Sequence, residues 1–152
     1  MLTEDILKYI DRSVLCWLAT VGADGYPNVS PKEVFAAHGS STVLIANIAS
    51  PVSAKNLSTN PLACVSFIDV FVQKGYKLRG CCTVVEKSDP RYEDFEQPLL
   101  RITHGLFPIQ SIFALEVFEV ATIIAPSYLF FPETTEKSQV DAAMKAYGIA
   151  SK

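Results

Sequence analysis

The sequence lacks any apolar run long enough to cross a bilayer. Its longest stretches, Val43 to Ile48 and Val120 to Ala125, fall far short of the ~18 residues a spanning helix requires. Met1 to Ile10 does not read as an export leader, because Glu4, Asp5 and Lys8 interrupt it; a cytoplasmic protein with no membrane partner is expected. Charge is sparse at 19% of residues and nets to −3, which disfavours a broad electrostatic grip on nucleic acid or anionic lipid. Any anion must therefore be held by a local site. No GxSxG, Walker A or GxGxxG pattern occurs, which removes serine hydrolase, nucleoside triphosphatase and Rossmann readings. The two histidines, His38 and His104, have no partners at ligand spacing, so no metal site is expected. None of the four cysteines forms a CxxC pair, and adjacent Cys81 and Cys82 must face opposite sides of a strand. All four are read as reduced core residues.

What is present is apolar surface: 49% of the 152 residues are hydrophobic. That suits one domain spanning residues 1–152 with a single core, and it leaves a surplus that a partner surface would use. The periodicity predicts a helix from Thr3 to about Asp11, followed by a hairpin. Its strands run from Val14 to Val21 and from Pro27 to Ala36 around a Gly22 to Gly25 turn. A third strand covers Thr42 to Ile48. Ser50 and Pro51 then open a short helix that ends at Asn60 and Pro61. Strands at Leu62 to Val70 and Tyr76 to Val85 come next, and Asp89 with Pro90 opens a helix that Pro98 kinks or ends. Ser111 to Ala125 is β-branched enough to be a long strand, with Glu116 and Glu119 on opposite faces or at a bulge. A last helix starts near Thr135. The expected fold is mainly β with peripheral helices, a six-stranded antiparallel small barrel.

Two polar clusters stand out. At the strand-to-helix junction from Asn47 to Asn56, Ser50 lies at the cap, with Ser53, Lys55 and Asn56 in the first turn and a half. Free amides and the positive end of the helix dipole make such a terminus a phosphate cradle, although ordinary capping with a solvated lysine fits the same pattern. On the second strand, Asn28, Ser30 and Lys32 share one face. Facing inward they would need an anionic partner; facing outward they need none. Lys77 and Arg79 share a face of a later strand, where a solvated edge is the alternative to an anion site.

Taken in order, Leu18 to Val21, Gly22-Ala23-Asp24-Gly25-Tyr26-Pro27-Asn28-Val29-Ser30-Pro31-Lys32, the strand to Asn47, Ser53-Ala54-Lys55-Asn56-Leu57 and Asn60-Pro61 resemble the pyridoxamine 5′-phosphate oxidase-like family of FMN-binding split β-barrels. The likeness runs from about Val14 to Val85, and the remainder looks like a short flavin-nucleotide-binding branch. It implies FMN as cofactor and a homodimer with two FMN sites at the interface. Ser30 and Lys32 would reach the phosphate or ribityl chain from the strand; Asn47 to Ser50, Ala49 included, would run beside the flavin; Ser53, Lys55 and Asn56 would complete the phosphate grip. Lys77 is a looser transfer, toward the ring or the second subunit. Pyridoxamine phosphate oxidase itself ends in an arginine- and histidine-bearing segment that binds the substrate phosphate. Here no arginine follows Arg101 and the chain ends in Lys152, so that substrate is not expected.

The resemblance implies an FMN-dependent oxidoreductase acting on an unidentified small molecule, with the flavin doing the redox chemistry and no acid–base dyad required. A non-catalytic FMN carrier, electron-transfer protein or sensor is the alternative, as is a relative that binds deazaflavin or haem. In each case the other partner is a small-molecule substrate or electron donor.

Overall fold

In the computed structural model, which describes residues 1–149, Thr3 caps the first helix, α1 (Glu4–Arg12). Its hydroxyl accepts from the Ile6 amide at 3.4 Å, and Glu4 and Asp5 occupy the electropositive first turn. Ile6, Tyr9 and Ile10 face inward. Seven strands form one antiparallel sheet: β1 (Cys16–Val21), β2 (Pro27–Lys32), β3 (Phe35–His38), β4 (Thr42–Asn47), β5 (Leu62–Asp69), β6 (Lys74–Val85) and β7 (Ser111–Ile124). Their spatial order is β2-β1-β5-β6-β7-β4-β3, so the architecture is mainly β with helices, a curled sheet of split-barrel type.

The count of seven corrects the expected six. Pro27 to Ala36 is not one strand: it breaks at Glu33 and Val34, where β2 leaves β1 and β3 joins β4. The Val34 carbonyl accepts from the Ala46 amide at 3.0 Å, which fixes the bend against β4. Strands adjacent in the chain thus lie at opposite edges of the sheet, and the short link between them is what curls it. The alternation slips by one residue at the bend: Lys32 faces inward at the end of β2, and Phe35, three residues on, is buried in the barrel core.

The helix α2 (Pro51–Thr59) starts where Ser50 and Pro51 predict. The helix α3 (Tyr92–Thr103) begins later than expected, with Arg91 at the cap position, because the Asp89 carboxylate and carbonyl are engaged in a tight turn with the Arg91 and Tyr92 amides. Pro98 lies inside α3 and does not end it; its cost is confined to one missing backbone donor. The helix stops instead at His104 in left-handed conformation (φ 50°), followed by Gly105 (φ 70°). A short helix, α4 (Ser127–Phe130), was not expected, whereas α5 (Glu136–Ala146) starts where expected, capped by Thr135 in reciprocal bonding with Ser138.

Between β6 and β7 the register shifts at Arg79 and Gly80, which pair with Glu119 and Val117 and leave Phe118 opposite no residue. This is the bulge among the two alternatives foreseen for Glu116 and Glu119, and it leaves both carboxylates exposed. Gly80 is required there, since a Cβ would sit 2.3 Å from the Glu116 carbonyl oxygen.

The barrel interior holds Leu18, Ile45, Val65, Phe67, Leu78 and Phe113, sealed by α1; a second cluster of Leu44, Val85, Tyr92, Leu99 and Ile112 lies under α3. All four cysteines are free, but only Cys16 and Cys82 belong to the core. Strand alternation turns Cys81 to the exposed face and leaves Cys64 half-buried on the same side, which corrects the assignment of all four to the interior. Among the described residues no helix is long and apolar enough to cross a membrane.

Candidate anion-binding site

The Gly22–Gly25 turn, closed by a 3.0 Å bond from the Gly25 amide to the Gly22 carbonyl, sets the register of β1 against β2. Asn28, Ser30 and Lys32 consequently lie opposite Thr20, Leu18 and Cys16, on the face that β1 turns to the interior. Lys32 is only 7% exposed. Its ammonium donates to Ser30 Oγ at 2.7 Å and to Ser50 Oγ at the start of α2. Among the described residues it pairs with no carboxylate. Cys16, its neighbour in the register, offers no counter-charge either, because burial pushes that thiol up to about 12. Burial in turn lowers the Lys32 pKa from its ordinary value, against the smaller opposing influence of Cys16.

Ser50 is drawn away from capping. Its hydroxyl serves Lys32, and α2 has no side-chain cap. The Ser50 amide donates instead to Asn47 Oδ1 at 3.1 Å, and Asn47 Nδ2 donates to Ser111 Oγ at 2.8 Å, which anchors the end of β4 to the start of β7. With Pro51 in the first turn, the Val52 and Ser53 amides have no intrahelical acceptor.

A second network lies one step further along the same helix. Thr20 Oγ1 accepts from Asn28 Nδ2 at 3.2 Å and from Asn56 Nδ2 at 3.1 Å, while Asn28 Nδ2 also reaches Ser53 Oγ at 3.3 Å. Ser53 and Asn56 are buried by this arrangement, which locks α2 onto the β1–β2 hairpin. A niche of about 260 Å³ opens beside the first network, lined by Lys32, Val34, Ile48, Ala49, Ser50 and Phe107.

Of the nine residues singled out in the sequence, Ser30, Lys32, Asn47, Ala49, Ser50, Ser53 and Asn56 converge on this junction. Lys55 and Lys77 do not. Lys55 is exposed, with no side-chain bond or ion pair among the described residues. Lys77 pairs in register with Ser66 and Ala121 on the exposed face of the sheet, away from Lys32. Thr20 and Ser111 were missed. Thr20 did carry a signal, a lone polar residue in step with Cys16 and Leu18; Ser111, at a strand end, carried none.

The family profile described as pyridoxamine 5′-phosphate oxidase matches residues 2–122, which includes every element of this site. The chain belongs to the pyridoxamine 5′-phosphate oxidase family. The match ends before α4 and α5. No curated protein matches the chain. Solved structures similar to this family member include HupZ from Group A Streptococcus, at 21% identity and a TM-score of 0.68, covering 79% of this chain and 92% of that one. An FMN-binding protein from Syntrophomonas wolfei subsp. wolfei is similar at 13% identity and a TM-score of 0.65, covering 78% and 86%. HutZ from Vibrio cholerae, described as a heme storage protein, is similar at 24% identity and a TM-score of 0.59, covering 80% and 94%. At these identities the likeness establishes the shared fold.

Proposed function

We propose that this chain binds FMN and works as an FMN-dependent oxidoreductase on a small molecule. The observation that carries the reading is Lys32: a buried ammonium whose hydrogen-bond partners are two neutral hydroxyls, at the edge of an open niche. A buried cation without a counter-ion is costly, and a phosphate in the niche would supply one. The surrounding groups suit a phosphate. Ser30 and Ser50 hydroxyls and the Val52 and Ser53 amides are donors at a helix start whose dipole favours negative charge. When bound, FMN would supply the hydride or electron transfer; the chain's own groups hold its phosphate and orient its body.

Homodimer formation belongs to the same proposal. The niche is smaller than the ~300–1,000 Å³ typical of pockets that enclose a drug-sized ligand, so the ring would lie beyond it, against a second surface. The exposed sheet face offers Trp17, Val29, Leu62 and Phe118 as apolar material for that contact.

The visible spectrum of the purified protein is the test. A flavin band, or flavin uptake on addition of FMN, supports the proposal; rapid bleaching by NADH or NADPH with recovery in oxygen supports an enzyme over a carrier. A colourless protein that takes up no FMN defeats it. A Soret band would assign the site to haem instead.

A further inference from the structure

A second cavity, about 840 Å³, is distinct from the Lys32 niche. It lies between α1, the β2–β3 bend and the end of α3, and meets the niche only along Glu33, Val34 and Phe107. Leu7, Ile10, Phe35, Pro98 and Ile102 give it apolar walls. Its volume falls in the upper range for sites that enclose small ligands.

Three polar features of the lining are open to a ligand. Ser13 is 8% exposed, and its hydroxyl is the buried side-chain polar atom left without a hydrogen-bond partner among the described residues. Such an orphan usually marks a missing water or ligand. Arg101, exposed in the last turn of α3, pairs with no carboxylate among the described residues. Asp11 and Glu33, also exposed on the lining, pair with no cation among the described residues. The cavity therefore carries exposed charge of both signs beside apolar walls, with one buried hydroxyl left open.

We infer that this cavity is a binding site for a small apolar zwitterion, a molecule of dipeptide size with one carboxylate and one ammonium. Arg101 receives the carboxylate through charge-assisted hydrogen bonds, Asp11 and Glu33 attract the ammonium, and Ser13 offers the remaining polar contact. The two carboxylates on the lining disfavour a dianion such as a phosphate ester, which separates this site chemically from the Lys32 niche. The inference does not depend on FMN occupying that niche.

The test is a titration of the full chain, followed by calorimetry, with L-phenylalanyl-L-leucine, its N-acetyl derivative and its C-terminal amide. Saturable binding of the dipeptide at one site per chain is expected, with both derivatives weaker. Arg101→Gln should weaken the dipeptide about tenfold, the size of one lost charge-assisted hydrogen bond, and leave the amide unchanged. Val14→Trp, at an exposed cavity-lining position, should abolish binding of all three while circular dichroism shows the fold intact. FMN affinity should be the same in both variants. The proposal is overturned by no saturable binding at millimolar dipeptide, by equal affinity for the three probes, by an Arg101→Gln variant that binds all three as before, or by displacement of the dipeptide by FMN.

Discussion

Lys32 ties the last residue of β2 to the N-cap residue of α2 by donating to Ser50 Oγ, across 18 residues of sequence. This bond puts a buried positive charge at a helix start that lacks its own side-chain cap. The two anion signals in the sequence, one on a strand and one on a helix, are thereby one site.

Replacing that charge separates binding from stability. Lys32→Met removes a buried cation that has no carboxylate partner, so the ligand-free protein should be no less stable, since apolar replacement of buried charge is often neutral or favourable. FMN affinity should fall by about 10- to 100-fold, as expected for about 1.5–3 kcal/mol of charge-assisted hydrogen bonding. Urea denaturation and quenching of flavin fluorescence measure the two effects. Unchanged FMN affinity would mean that the phosphate lies elsewhere.

The same residue sets a pH dependence. The folded-state pKa of Lys32 is lowered by burial, so the unfolded chain holds that proton more tightly. Its contribution is a cost at neutral pH, and stability rises as pH climbs through the lowered pKa toward the unfolded value of about 10.5. FMN binding runs the other way: affinity should fall over the same window as Lys32 loses its charge. Lys32→Arg, which stays protonated, should abolish the alkaline fall. An identical pH profile in the variant would assign the effect to another group.

Thr20 holds two amides at once, and its removal should be disproportionate. Thr20→Val preserves shape but leaves Asn28 Nδ2 and Asn56 Nδ2 without their shared acceptor. A loss of about 1–3 kcal/mol is expected for each buried donor left unsatisfied, less for Asn28, which keeps Ser53. Gly22→Ala attacks the same network sterically, because the new Cβ would lie 2.7 Å from Asn56 Oδ1. Moving Asn56 aside breaks its bond to Thr20, so the two substitutions together should cost less than their sum in chemical denaturation. Strict additivity would show that the network is not a unit.

Much of this was legible in sequence because local chemistry dictated it. Ser50 with Pro51 fixed the start of α2, Thr3 fixed the cap of α1, and glycine spacing fixed the β1–β2 turn. The Glu33–Val34 break was not legible, since no Gly or Pro marks it and its purpose, carrying the chain between sheet edges, exists only in three dimensions. Pro98 misled for the opposite reason: its local penalty is overridden by the packing of Tyr92 and Leu99 beneath α3. For the site, seven of the nine residues singled out in the sequence do meet. The positive charge of Lys55 and Lys77 suggested the other two, but helix and strand geometry turn both toward solvent.

That outward face leads to the last prediction. Trp17 is 45% exposed on β1, one strand in from the sheet edge, where Pro31 and Ser66 flank it in register, and the next row holds Val29 and Cys64. A large aromatic left half-exposed amid apolar neighbours is material for an interface with a second copy of this chain. Trp17→Glu should leave the monomer folded, because the side chain is not part of the core, and should convert the proposed dimer to monomer in sedimentation velocity. If the flavin ring lies against the second copy, FMN affinity falls with the loss of the dimer although no phosphate-binding residue has changed. A variant that remains dimeric would move the interface to another face; a monomeric variant with full FMN affinity would place the ring on a single chain.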